Sequence, residues 1–344
     1  MTQRPAPNAL YDWSMAIAAF WLAAGIMIDA WYHFHDTVET FFEPAHGLLY
    51  AGLLASYAFT ALAAYSGLKA GFPLRNALPP GYGTTVAGLV VFFIGGIGDL
   101  IKHTMWGFEQ GFDALVSPTH LAIGAGMFLI VVGPIRSAIE REHPPRTLAG
   151  QLPMLIALAS IMELLHWGTQ FVFLSEAERM NAPLPLAAFP HDTLTLITLE
   201  YYKHGIGVLA VLVQSLLVAG FALFIARRIA LAPGALVALL FLGNLCIAAA
   251  HSNHLPQFVA VVLASCVAGA VGDGFRLNPE RPRDPRFTWA SFMIPASYWA
   301  VMIAVLAAGM NGTWWTPDII TGSILFAGFA GLGVNALAGP FART

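Results

Sequence analysis

Two stretches of the chain, DAWYHFHDTVETFFEPAHGLLYAG at 29–52 and DLIKHTMWGFEQGFDALVSPTHLAIGAG at 99–126, are written to one pattern. Each opens with an aspartate and a histidine four residues apart, Asp29 with His33 and Asp99 with His103. Each then runs through a loop to Pro-x-His, Pro44-Ala45-His46 or Pro118-Thr119-His120, followed by small and apolar residues. Proline fits the first turn of a helix, where its missing N–H has no helical partner to lose. Both stretches therefore read as the end of one helix, a connection, and the start of the next. A looser third copy pairs Glu163-Leu-Leu-His166 with His204-Gly-Ile-Gly, and a fourth keeps only His251 and His254. The expected architecture is all-α, a polytopic membrane bundle of repeated helical hairpins at 14–68, 84–137, 150–226 and 231–273, with extra helices over 288–339.

Composition puts this pattern in a bilayer. Of 344 residues, 58% are hydrophobic and 10% charged, where a soluble domain carries about 25% charge. A crossing helix needs ~20 mostly apolar residues, and the uncharged gaps between charged positions supply them repeatedly. They predict about ten spans in one membrane domain covering 1–344, near 14–34, 46–68, 84–105, 118–137, 150–173, 199–226, 231–251, 255–273, 288–309 and 318–339. The first span reads as a retained helix rather than a cleaved leader, since its polar end recurs at 99–103. A net charge of −3, without a dense basic run, excludes a nucleic-acid partner. Two cysteines, Cys246 and Cys266, exclude a disulfide framework, a four-cysteine zinc site and an iron–sulfur cluster.

Basic residues predict the orientation. All except Lys102, Arg179 and Lys203 fall in alternate loops or at the termini on one side. That side is the expected cytoplasm, with both termini inside, as in a bacterial inner-membrane protein. On this topology every histidine but His143 lies toward the outer ends of helices or in outer loops, which predicts one polar stratum near the outer face. His35, His143 and His191 read as solvated loop residues. Trp13, Trp21, Trp31, Trp106, Trp314 and Trp315 read as interfacial anchors, with Trp31 and Trp106 also near the proposed ligands. Ala327-x-x-x-Gly331 permits close helix contact, within the chain or in a homo-oligomer.

Residues i and i+4 share one helical face, with Cβ atoms ~6 Å apart, and the proline two residues before the returning histidine fixes where the next helix begins. Each hairpin can then aim two imidazoles and one carboxylate at a single point. That is a three-ligand site with open positions, suited to iron(II) and tolerable to copper or catalytic zinc. The expected metal ligands are Asp29, His33, His46, Asp99, His103 and His120, with Glu163, His166, His204, His251 and His254 as further candidates of less regular spacing. The competing reading is an aspartate that accepts a hydrogen bond from its histidine and merely stabilises the hairpin. Two copies of so costly a triplet inside spans favour the metal. No His-Glu-x-x-His, Walker loop or Gly-x-Ser-x-Gly elbow occurs.

Over 29–126 the motif Asp29-x3-His33-x12-His46 resembles that of the C subunit of the copper membrane monooxygenases, the particulate methane and ammonia monooxygenases. The resemblance implies copper ligation by Asp29, His33 and His46, and a second site at Asp99, His103 and His120. Asp99 stands where the family has Asn, and the step from His103 to His120 is longer than the family's. The functional expectation is a membrane oxidoreductase, with copper or else iron, that uses dioxygen on a small apolar substrate entering from the lipid bilayer. Alternatives are a proton-coupled or metal-ion transporter built on the same groups, a b-type haem held by two imidazoles, and a zinc hydrolase.

Overall fold

A computed structural model describes residues 4–35, 42–107, 112–173, 193–310, 312–313 and 315–338. Among them the regular structure is entirely helical. The helices are α1 (Ala9–His35), α2 (Pro44–Lys69), α3 (Gly83–Trp106), α4 (Phe112–Val116), α5 (Pro118–Ile139), α6 (Leu148–Gly168), α7 (Thr193–Ala226), α8 (Ala235–Leu242), α9 (Leu245–His251), α10 (Leu255–Gly274), α11 (Pro285–Gly309) and α12 (Pro317–Ala338). Nine of them are long and apolar enough to cross a membrane: α1, α2, α3, α5, α6, α7, α10, α11 and α12. The prolines sit where the sequence reading put them, Pro44 opening α2 and Pro118 opening α5.

Residues 231–251, expected as one span, instead form α8 and α9. Gly234 adopts a left-handed φ of 85° before α8. Gly243 and Asn244, both poor helix formers, then interrupt the run. The Asn244 side-chain Nδ2 donates to the Leu240 carbonyl at 2.8 Å, and its own carbonyl accepts from Ala248 N–H. One residue thus closes α8 and opens α9. A search for uncharged gaps is blind to this break, because neither residue carries charge.

The chain divides into two compact units, 1–168 and 169–344. In the first, α3 packs along α5, while α1 touches α2, α5 and α6. Glycines bring α3 and α5 together. A Cβ on Gly126 would lie 2.5 Å from Phe92 N, and one on Gly88 2.7 Å from the Gly126 carbonyl, so these backbones approach as only small residues allow. Where α1 begins, the buried Asp12 carboxylate accepts from the Tyr82 hydroxyl at 2.6 Å and pairs with Arg141. Burial, then the Asp12 charge, raise the Tyr82 pKa above the ordinary phenol range.

In the second unit α11 packs against α10, α12 and α7. Trp299 Nε1 on α11 donates to Ser215 Oγ on α7 at 3.0 Å. The Ala327-x-x-x-Gly331 step lies against α11 of the same chain, and a Cβ on Gly331 would collide with the Ser291 carbonyl. His143 is exposed in the turn between α5 and α6. The His35 side chain, His191 and Trp314 lie outside the described residues.

Candidate metal centre

The last turns of α1 carry Asp29 and His33, and the first turn of α2 carries His46, with Glu43 at the residue just before that helix. His33 Nε2 lies 3.7 Å from Asp29 Oδ2 and 3.6 Å from Glu43 Oε1. His46 faces a carboxylate from each ring nitrogen: Nε2 is 3.5 Å from Asp29 Oδ1, and Nδ1 is 3.5 Å from Glu43 Oε1. One ligand atom from each of the four residues falls within 4.8 Å of the others. Asp29 and Glu43 are each only 6% exposed, so two carboxylates share a nearly dry space.

The second group joins the end of α3 to the start of α5. Asp99 Oδ2 lies 3.2 Å from His103 Nε2, and Asp99 Oδ1 lies 3.2 Å from His120 Nε2. Asp99 Oδ1 also accepts from Thr119 Oγ1 at 2.9 Å. Thr119 Oγ1 is 2.9 Å from Ser117 Oγ, which accepts from Lys102 Nζ at 2.9 Å. His120 Nδ1 is 2.6 Å from the Ala114 carbonyl. A carbonyl can only accept, so Nδ1 carries the proton. In the neutral ring Nε2 is then a bare lone pair aimed at a carboxylate oxygen, and either a second proton on the ring or a metal ion between them makes the contact attractive. A histidine whose second nitrogen is held by a carbonyl is the usual orientation of a metal ligand.

The distances separate the two readings of the motif at the first group. An N–H···O hydrogen bond spans about 2.7–3.2 Å. Two ligands each ~2.0–2.1 Å from one tetrahedral ion stand ~3.3 Å apart, the edge of the polyhedron. The imidazole–carboxylate separations of 3.5–3.7 Å in the first group are beyond hydrogen bonding and slightly wider than such an edge. Those of 3.2 Å in the second suit both a hydrogen bond and such an edge. The donor sets fit a borderline ion that accepts imidazole and carboxylate: two nitrogens with two carboxylates at Asp29, His33, Glu43 and His46, and two nitrogens with one at Asp99, His103 and His120.

Tyr50 reaches from the first group toward the helix that carries the second. It follows His46 by one turn of α2, with ring centroids 6.4 Å apart. A Cβ at Gly96, three residues before Asp99, would come within 3.1 Å of the Tyr50 hydroxyl. Gly96 therefore makes room for the ring.

The six principal candidates fall three to each group, and Glu43 joins the first. In the sequence Glu43 reads as part of the loop before Pro44. Its signal was the spacing of three residues from His46, across the proline that fixes the helix start. Among the described residues these are the two groups of three or more His, Cys, Asp or Glu able to hold an ion. Glu163 and His166 are buried in α6, and His204 is half-buried in α7. His251 Nε2 pairs with Gln170 Oε1 at 2.9 Å. His254 caps α10, where Gln257 Oε1 accepts from its backbone N–H at 2.8 Å. These five belong to neither group. No family model, curated protein or solved structure matches the chain, so the monooxygenase resemblance rests on the motif at 29–126 alone.

Proposed function

We propose that the chain is an integral membrane metalloprotein, with copper first and iron next among the ions, and that it oxidises a small apolar substrate with dioxygen. The observation that carries this reading is the pair of largely buried imidazole–carboxylate groups whose spacings suit ligands of a shared ion. A bound ion with open positions supplies oxygen binding and electron transfer. The chain's own residues set the conditions. Asp29 and Glu43 balance the charge of an ion at the first site, and Asp99 does so at the second. The Ala114 carbonyl fixes the tautomer of His120, and the apolar helices exclude water. The matching layout of α1–α2 and α3–α5 supports a repeated hairpin of common ancestry, and the basic loops favour cytoplasmic termini with the metal groups toward the outer side of a bacterial inner membrane.

Elemental analysis of detergent-purified protein is the test. The expected result is stoichiometric copper or iron that falls in His33→Ala and in His103→Ala. Active protein free of metal overturns the proposal. Zinc alone, colourless and without a redox signal, replaces it with a hydrolase, and ion uptake by proteoliposomes replaces it with a carrier.

A further inference from the structure

Helices α2 and α3 meet at few positions, and the gap between them is a cleft of about 580 Å³. Its polar end is made by Glu43, His46 and Tyr50, and its walls include Leu54, Tyr57, Phe93, Ile97 and Leu100. The Tyr57 hydroxyl donates to the Leu89 carbonyl at 2.7 Å, so its hydrogen-bonding demand is met by backbone. Leu54, Phe93 and Ile97 are exposed, and on membrane-crossing helices that exposure faces lipid. From Glu43 to Tyr57 the cleft follows α2 for ~20 Å at 1.5 Å per residue. Its volume lies within the range of small-molecule sites, about 300–1,000 Å³. The shape is elongated, apolar along its length, open to the bilayer, and closed by hydrogen-bonding groups at one end.

We infer that this cleft binds an uncharged single-chain molecule drawn sideways from the bilayer, with its one hydrogen-bonding end against Glu43, His46 and Tyr50. A charged headgroup does not suit it, because the Glu43 carboxylate repels an anion and a cationic head would compete with the ion proposed at Glu43 and His46. The inference deepens the metal-centre reading and rests on it only for what happens at the polar end. The walls themselves are built without any ion.

The probe is a medium-chain primary alcohol carrying a diazirine, photolysed with the full-length protein in proteoliposomes, with labelled peptides mapped by mass spectrometry. Labelling is expected within 47–57 and 93–100, and excess unlabelled decanol suppresses it. Gly47 lines the cleft, and a Cβ there meets nothing within 4 Å. Gly47→Leu therefore adds bulk from a position with open space at Cβ and lowers labelling by about tenfold. Ile97→Trp does the same from the opposite wall, while bound metal per chain stays unchanged in both. Labelling that spreads evenly over lipid-facing positions such as Leu209 and Leu216, and resists competition, overturns the inference. Saturable labelling of a protein that never binds metal supports the cleft and overturns the metal reading. Diffuse labelling of metal-loaded protein does the reverse.

Discussion

The tip of the α1–α2 hairpin and the tip of the α3–α5 hairpin use the same residue types at the same helical steps, yet they solve different electrostatic problems. At the first, Asp29 and Glu43 bring two negative charges into a space shut off from water, and their separations from His33 and His46 are too long for hydrogen bonds. At the second, Asp99 is a lone carboxylate braced by Thr119, whose neighbour Ser117 leads on to Lys102. Uncompensated buried charge is expensive. The first tip, with one more carboxylate, therefore gains more from a cation than the second, where Thr119 also braces Asp99. A divalent ion is expected to bind more tightly at the first and to change its local order more.

Charge removal is the strongest way to break this contrast. Glu43→Gln keeps the shape but drops one negative charge, and copper affinity at the first site is expected to fall about 10–100-fold with the second unchanged, as read by competition titration. Equal losses at both sites would erase the distinction. A smaller effect is expected from Thr119→Ala, which frees Asp99 from its brace and weakens the second site about tenfold while sparing the first. Smallest is Gly96→Ala. Its new methyl would crowd Tyr50 at 3.1 Å, and turning that ring off its preferred rotamer costs about 0.5 kcal/mol. Because Tyr50 lies beside His46 and against the turn of α3 that carries Asp99, the resulting change, about twofold, is expected at both sites alike.

Much of this was legible in the sequence because helices translate spacing directly into direction. Asp29 and His33 had to share a face, and Pro44 and Pro118 had to start helices two residues ahead of a histidine. Glu43 was harder to see, since a carboxylate in a connection has no period to betray it. Tyr50 was hidden for another reason: its relation to Asp99 passes through Gly96, a residue whose message is the absence of a side chain. The third hairpin shows the limit of the repeat. Its arms, α6 and α7, fall in different compact units, whereas each of the first two hairpins lies wholly within one. His251 and His254 were visible as polar residues, but their partners Gln170 and Gln257 were not, being neutral and unremarkable in sequence.

The pair α8–α9 carries a consequence for the helices around it. From Ala235 to His251 the apolar run falls short of the length required of the other spans, and even as a continuous helix of 17 residues it would rise only ~25 Å. A hydrocarbon layer is ~30 Å thick. Of residues 235–251 only Ala249 is exposed, so the shortfall is met by packing within the protein, as where Val237 rests against Gly269 of α10. The second half of the molecule thus shelters a short apolar element behind its longer neighbours.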